Sequence, residues 1–209
     1  MYYSIKTRTD KEVGGVFPQV SCLNQQLAHS IQSNSFINAD SDLLYKLEPK
    51  AKLTNVLSQA EISALGFLID EKTKGIVKGF DIVPHNYNQA TVKDNNGREY
   101  HYSWLHLGTK LEDLQWLDYQ NSSFYVKEYG FRKEDISIKS YQDYEQKSIE
   151  VGDMAVILIE KIKIKPQYRI NADMFTLPLL TRNIFISQSL KIALDENSIT
   201  GISTEEAFE

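Results

Sequence analysis

The sequence predicts an α+β protein with mainly antiparallel sheet, in a single domain over residues 1–209, with 1–108 and 109–209 as candidate sub-units. Three observations predict it. Short segments rich in Val, Ile, Tyr and Trp recur with polar alternation, as in "REYHYSWLHL" and "SFYVKEY". A turn of Asn95-Asn96-Gly97 separates two such segments, and Asn and Gly tolerate the positive φ of a tight hairpin. A strand–cap–helix–strand pattern also occurs twice, over 66–83 and 184–203, about 117 positions apart.

Taken in order, "YYSIKT" (2–7) alternates and reads as a strand. Gly14-Gly15 and Pro18 mark a loop. Leu23, Leu27 and Ile31 fall four apart and predict a short helix. Leu43, Leu44 and Leu47 suit a helical turn or a short strand, stopped by Pro49. "ATVKD" and "REYHYSWLHL" flank the Asn-Asn-Gly turn as a hairpin, and "SFYVKEY" follows a turn at Asn121-Ser122. "DISIKSYQDYEQKSIEVGD" alternates and reads as further strand. "AVILIEKIKIKP" (155–166) is strand-like throughout, with Lys161, Lys163 and Lys165 on a solvent edge that discourages unwanted pairing.

The repeated pattern has a physical reading. Gly66–Ile69 and Ile184–Ile186 are apolar strands. Asp70 and Ser187 follow them, and each side-chain oxygen can accept a hydrogen bond from a free N–H in the first helical turn. Leu190 and Leu194 then make an apolar stripe, and Ile76 and Val77 do so in the shorter first copy. Helices this short do not stand alone in water, so each must pack on a sheet.

Composition bounds the function. With 42% hydrophobic and 24% charged residues the chain can build a core. Its net charge of −5 argues against non-specific nucleic-acid binding, which needs a basic footprint. The single cysteine, Cys22, excludes an internal disulfide and fits a reducing compartment. No apolar run approaches the ~20 residues of a membrane helix, so a cytoplasmic protein without membrane or nucleic-acid partners is expected.

The C-terminal stretch "DMFTLP…NIFISQSLKIALDENSITGIS" resembles the closing segment of immunity protein family 11 of bacterial polymorphic toxin systems. The matching positions are Asp173, Phe175, Ser187, Leu190, Lys191, Leu194, Thr200, Gly201 and Ile202. "LQWLDYQNSSFYV" is similar to a middle segment of that family through Asp118, Tyr119, Ser122 or Ser123, and Phe124; "GFLIDEKTKGIV" resembles its first strand–helix unit. The family more often has Ser at the position of Asp70. The resemblance spans residues 60–203 in patches and none of the first 50. It implies a protein that binds and neutralises a cognate protein toxin by occluding its active site, without cofactor, metal or catalytic residues. Trp104, Trp116, Asp118 and Tyr119 are the expected surface anchors, because aromatic residues dominate tight interfaces.

His101 and His106 are five apart on an expected strand, hence on opposite faces. A site joining His85, His101 or His106 to a carboxylate such as Asp81 defines an alternative, a small hydrolase or metal-dependent enzyme; a non-catalytic ligand-binding scaffold is the other. Cys22 lies in no recognised nucleophile signature. The acidic pairs Glu112-Asp113 and Glu134-Asp135 are expected at helix starts or in turns.

Overall fold

The structure is a computed structural model that describes residues 1–32, 36, 42–108, 114, 116–168, 170–177 and 180–208. Its strands are β1 (Tyr2–Thr7), β2 (Val20–Cys22), β3 (Leu43–Leu47), β4 (Val56–Leu57), β5 (Gly66–Asp70), β6 (His85–Lys93), β7 (Glu99–Leu107), β8 (Ser123–Glu128), β9 (Phe131–Ile136), β10 (Ala155–Lys161), β11 (Met174–Thr176), β12 (Ile184–Ser187) and β13 (Ile202–Phe208). The helices among the described residues are α1 (Gln25–Ser30), α2 (Glu71–Val77), α3 (Tyr141–Glu150) and α4 (Gln188–Glu196). Three sheets result, with orders β11-β12-β1-β13, β10-β8-β9 and β2-β3-β6-β7-β5-β4. Every named pair is antiparallel except β3–β6, which is the α+β class that the sequence implies.

Two expectations need correction. Residues 141–150 are helix, not strand: Ser140 Oγ accepts from Asp143 N–H (3.1 Å), and Asp143 Oδ2 accepts from Lys139 N–H (2.6 Å). This reciprocal cap outweighs the loose alternation of the side chains. The strand expected over 155–166 ends at Lys161. The chain then leaves the sheet and pairs with 116–118, through Asp118 N–H to Lys163 O and Lys165 N–H to Trp116 O. The acidic residues Glu134 and Asp135 lie on β9, whereas Glu112 and Asp113 fall outside the described residues.

The twice-written pattern is a structural repeat in matching register. Phe67, Leu68, Ile69 and Asp70 of β5 stand opposite Leu105, Trp104, Ser103 and Tyr102 of β7. Ile184, Phe185, Ile186 and Ser187 of β12 stand opposite Ile5, Ser4, Tyr3 and Tyr2 of β1. The fourth strands also agree: Tyr87 of β6 faces Leu105, and Thr204 of β13 faces Ile5. Thus β4-β5-β7-β6 and β11-β12-β1-β13 are two versions of one sheet, the second with its central strand taken from the beginning of the chain. A cut after residue 108 would run through that second sheet.

Both helices are capped as expected. Asp70 Oδ1 accepts from Thr73 N–H (2.8 Å), and Ser187 Oγ accepts from Leu190 N–H (3.2 Å). The residue before each short partner strand then ties its own cap to the other unit. Asn55 accepts Asp70 N–H on its carbonyl (2.9 Å) and donates Nδ2–H to Asp70 Oδ2 (2.7 Å). It also accepts on Oδ1 from Thr200 N–H (2.9 Å), just beyond α4. Asp173 accepts Ser187 N–H on its carbonyl (2.8 Å) and Ser187 Oγ–H on Oδ1 (2.6 Å). Its Oδ2 accepts from Asp81 N–H (3.1 Å), just beyond α2. Each unit therefore holds the post-helix chain of the other.

Between the two sheets lies one apolar core made of equivalent residues from each: Val56, Phe67, Ile69, Val77 and Leu105 from one side, Met174, Ile184, Ile186, Leu194 and Ile5 from the other. The outer face of the six-stranded sheet carries Leu43, Tyr45, Leu68 and Trp104 and packs with α1 and with Ile62 and Ala64. The outer face of the four-stranded sheet packs on β8, β10 and α3, through Phe175, Phe185, Phe208, Val126, Ile157 and Tyr144. At Gly201 (φ +87°) a Cβ would come within 2.0 Å of Val56 O, so the crossing of the two units requires glycine there.

Because Asn55 and Asp173 each satisfy groups in both units, Asn55→Ala and Asp173→Ala should each lower the unfolding free energy by about 1–3 kcal/mol. Urea titration against an exposed control such as Lys46→Ala measures it. Equal midpoints for all three variants would refute the role of the paired joints.

Candidate functional site

The structure separates the four expected anchors. Trp104 is 3% exposed on β7, with its ring against Gly66. Strand alternation turns it with Tyr102 into the core shared with α1, so it is no surface anchor. Tyr119 is also interior, 8% exposed and stacked on Phe124 at 6.1 Å, because the turn after Leu117 folds it onto the β8–β10 sheet. Trp116 is half-buried, edge-on to Phe175 at 6.4 Å. Asp118 stays half-exposed: Oδ2 accepts from Asn121 Nδ2–H (2.8 Å) and Oδ1 from Asn121 N–H (3.2 Å). These bonds, the side-chain one foremost, hold its carboxyl below the usual range.

The segment bearing Asp118 and Tyr119 nevertheless borders a groove of about 590 Å³. One wall is Leu114 and Asp118–Gln120, a second is Lys165–Gln167, and the third is the start of α3, Lys139–Gln142. The local sequence explains each wall. The Asp118–Asn121 turn presents Gln120; the departure of 162–165 from the sheet swings Lys165 and Pro166 alongside; and the Ser140 cap aims the first turn of α3 at the opening. Lys139 and Lys165 supply positive charge, Asp118 negative, and Tyr119 and Tyr141 aromatic surface. Such a mix of aromatic area and fixed polar groups suits recognition of a protein surface. The α3 wall was missed in the sequence, although Ser140-x-x-Asp143 is the capping signal that could have revealed it.

The histidines do not converge. His85 and His101 are six ladder positions apart, opposite Leu107 and Thr91, roughly 20 Å along the sheet. His85 Nδ1 lies 3.0 Å from Val83 O, and it is the backbone N–H of Asp81 that donates to Asp173 Oδ2 (3.1 Å). His106 points to the other face, fully buried, with neither ring nitrogen hydrogen-bonded and the Phe36 ring 5.1 Å away. Among the described residues no group of three His, Cys, Asp or Glu side chains could hold a metal ion. Cys22 is buried in β2, donating to Asn24 Oδ1 (3.3 Å), and burial pushes its thiol pKa up, away from nucleophilic thiolate. No described helix is long and apolar enough to cross a membrane.

Comparison with known proteins finds no family model and no curated protein that matches this chain.

His106 carries a pH consequence. Burial lowers its pKa below the ordinary 6.5, so the fold favours the neutral ring. The unfolded chain takes up the proton first as pH falls through 6.5, and stability declines from there toward the folded pKa. Carboxylates held low, such as Asp143, act at more acid pH. Chemical denaturation between about pH 7 and pH 5 should therefore show a falling midpoint that is flatter in His106→Leu. An identical slope in both proteins would contradict this.

Proposed function

We propose that this chain is an immunity protein that neutralises a cognate protein toxin by binding it and occluding its active site. Two observations support the reading. The stretch "LQWLDYQNSSFYV" resembles the immunity family, and its Leu114, Asp118, Tyr119 and Gln120 form a wall of the groove of about 590 Å³. Trp116 on Phe175 and Tyr119 on Phe124 tie one wall of that groove to the core, and preorganisation lowers the entropic cost of docking. The aromatic contribution comes from Tyr141 and the rim of Tyr119, with Trp116 supporting from beneath, not from Trp104. The protein acts in the cytoplasm of the cell it protects, in keeping with its single thiol.

The test is co-expression with the product of the adjacent toxin reading frame, followed by calorimetry. A complex with Kd on the order of 1 nM is expected. Gln120→Arg and Gln142→Arg, on the exposed rim, should weaken it roughly tenfold or more while leaving thermal unfolding unchanged. No heat and no co-elution with the neighbouring product would refute the reading.

A further inference from the structure

The edge strand β9 carries the sequence Phe131-Arg132-Lys133-Glu134-Asp135-Ile136, and every residue up to Asp135 is exposed. Among the described residues it pairs only with β8, and none of them pairs with its other backbone edge. Edge strands are often blunted by charged side chains, and charges of one sign repel a copy of themselves. Here the charges run basic, basic, acidic, acidic. Read against its own reverse, the strand sets Lys133 opposite Glu134, Arg132 opposite Asp135, and Phe131 opposite Ile136.

The register permits that match for a particular reason. In a regular strand, neighbouring residues point their backbone groups to opposite edges, so a two-fold axis cannot fall between them. The β8–β9 ladder breaks the rule at one point: Lys127 faces Arg132 while Val126 faces Glu134, leaving Lys133 as an extra residue. The alternation slips there, and Arg132 and Asp135 share an orientation. Their ion pair (2.5 Å), and the guanidinium of Arg132 4.6 Å above the Tyr125 ring opposite Asp135, show it. An axis between Lys133 and Glu134 is thereby compatible with edge pairing. The adjoining Tyr129 and Phe131 are 72% and 77% exposed, apolar area that a strand laid alongside would cover in part.

We infer that β9 is a self-recognition edge that pairs antiparallel with β9 of a second copy of this chain, forming a two-fold dimer through a continuous six-stranded sheet. The contact is isologous, so each ion pair occurs twice. A single added strand makes a small interface, so the dimer is weak, forming at roughly 1–100 µM. The edge lies on a different segment from the groove, and the inference does not rest on the toxin-binding reading.

Sedimentation equilibrium of the full chain across that range should show a rise toward twice the chain mass. Lys133→Glu, which sets two acidic side chains against each other, should raise the dissociation constant at least roughly tenfold. Adding Glu134→Lys to it restores complementarity and should return the dimer. Lys133 also pairs with Glu128 within the hairpin (3.0 Å), so Glu128→Gln serves as the control and should leave association unchanged. A single-chain mass up to roughly 1 mM overturns the inference. So does a dimer indifferent to Lys133→Glu, or one lost equally in Glu128→Gln.

Discussion

The architecture depends on two small polar joints, at Asn55 and Asp173. Each sits immediately before a two- or three-residue strand, β4 or β11, too short to hold its place by ladder bonds alone. Each joint bonds backbone and side chain to the cap residue of its own unit, Asp70 or Ser187, and to the chain emerging from the other unit's helix, Thr200 or Asp81. Neither unit can close without the other. The apolar core between them, built from Phe67, Ile69, Ile184 and Ile186, adds non-directional stability; the joints select the one register that satisfies the caps.

That paired base frees the outer faces for different tasks. One sheet buries Leu68 and Trp104 in a core shared with α1. The other buries Phe175 and Phe185 under a three-stranded sheet and α3, and this second layer carries both the groove and the β9 edge. Equivalent positions in the repeat differ accordingly. Trp104 on one sheet corresponds to Ser4 on the other, so the aromatic bulk that fills the first outer face is supplied on the second by Phe175, Phe185 and Phe208. A repeat with identical outer faces would have no reason to dock two different layers.

Much of the fold was legible in the residues. The Asn-Gly hairpin signal, the capping Asp70 and Ser187, and the 117-residue spacing of the strand–helix units all reflect local chemistry: positive φ, free N–H groups and an apolar stripe. α3 was missed because two weak alternating runs on either side of Ser140 outweighed a real cap, and the break after Lys161 because isoleucine–lysine alternation persists where the ladder stops. The site was less legible still. Trp104, Trp116, Asp118 and Tyr119 look alike as interface residues, yet a strand's parity buries the first and a turn buries the last.

By itself the sequence determined the class, the two capped units, the hairpin and the opposite-face placement of His101 and His106, because each depends on spacings of a few residues. Only the tertiary structure decided that β1 completes the second copy of the sheet, that Asn55 and Asp173 cross-link the units, and that Asp118 meets the start of α3 across a groove. Those contacts join residues up to about two hundred positions apart. They arise from which buried faces and unpaired N–H groups remain once the local elements have formed, and no local pattern records that remainder.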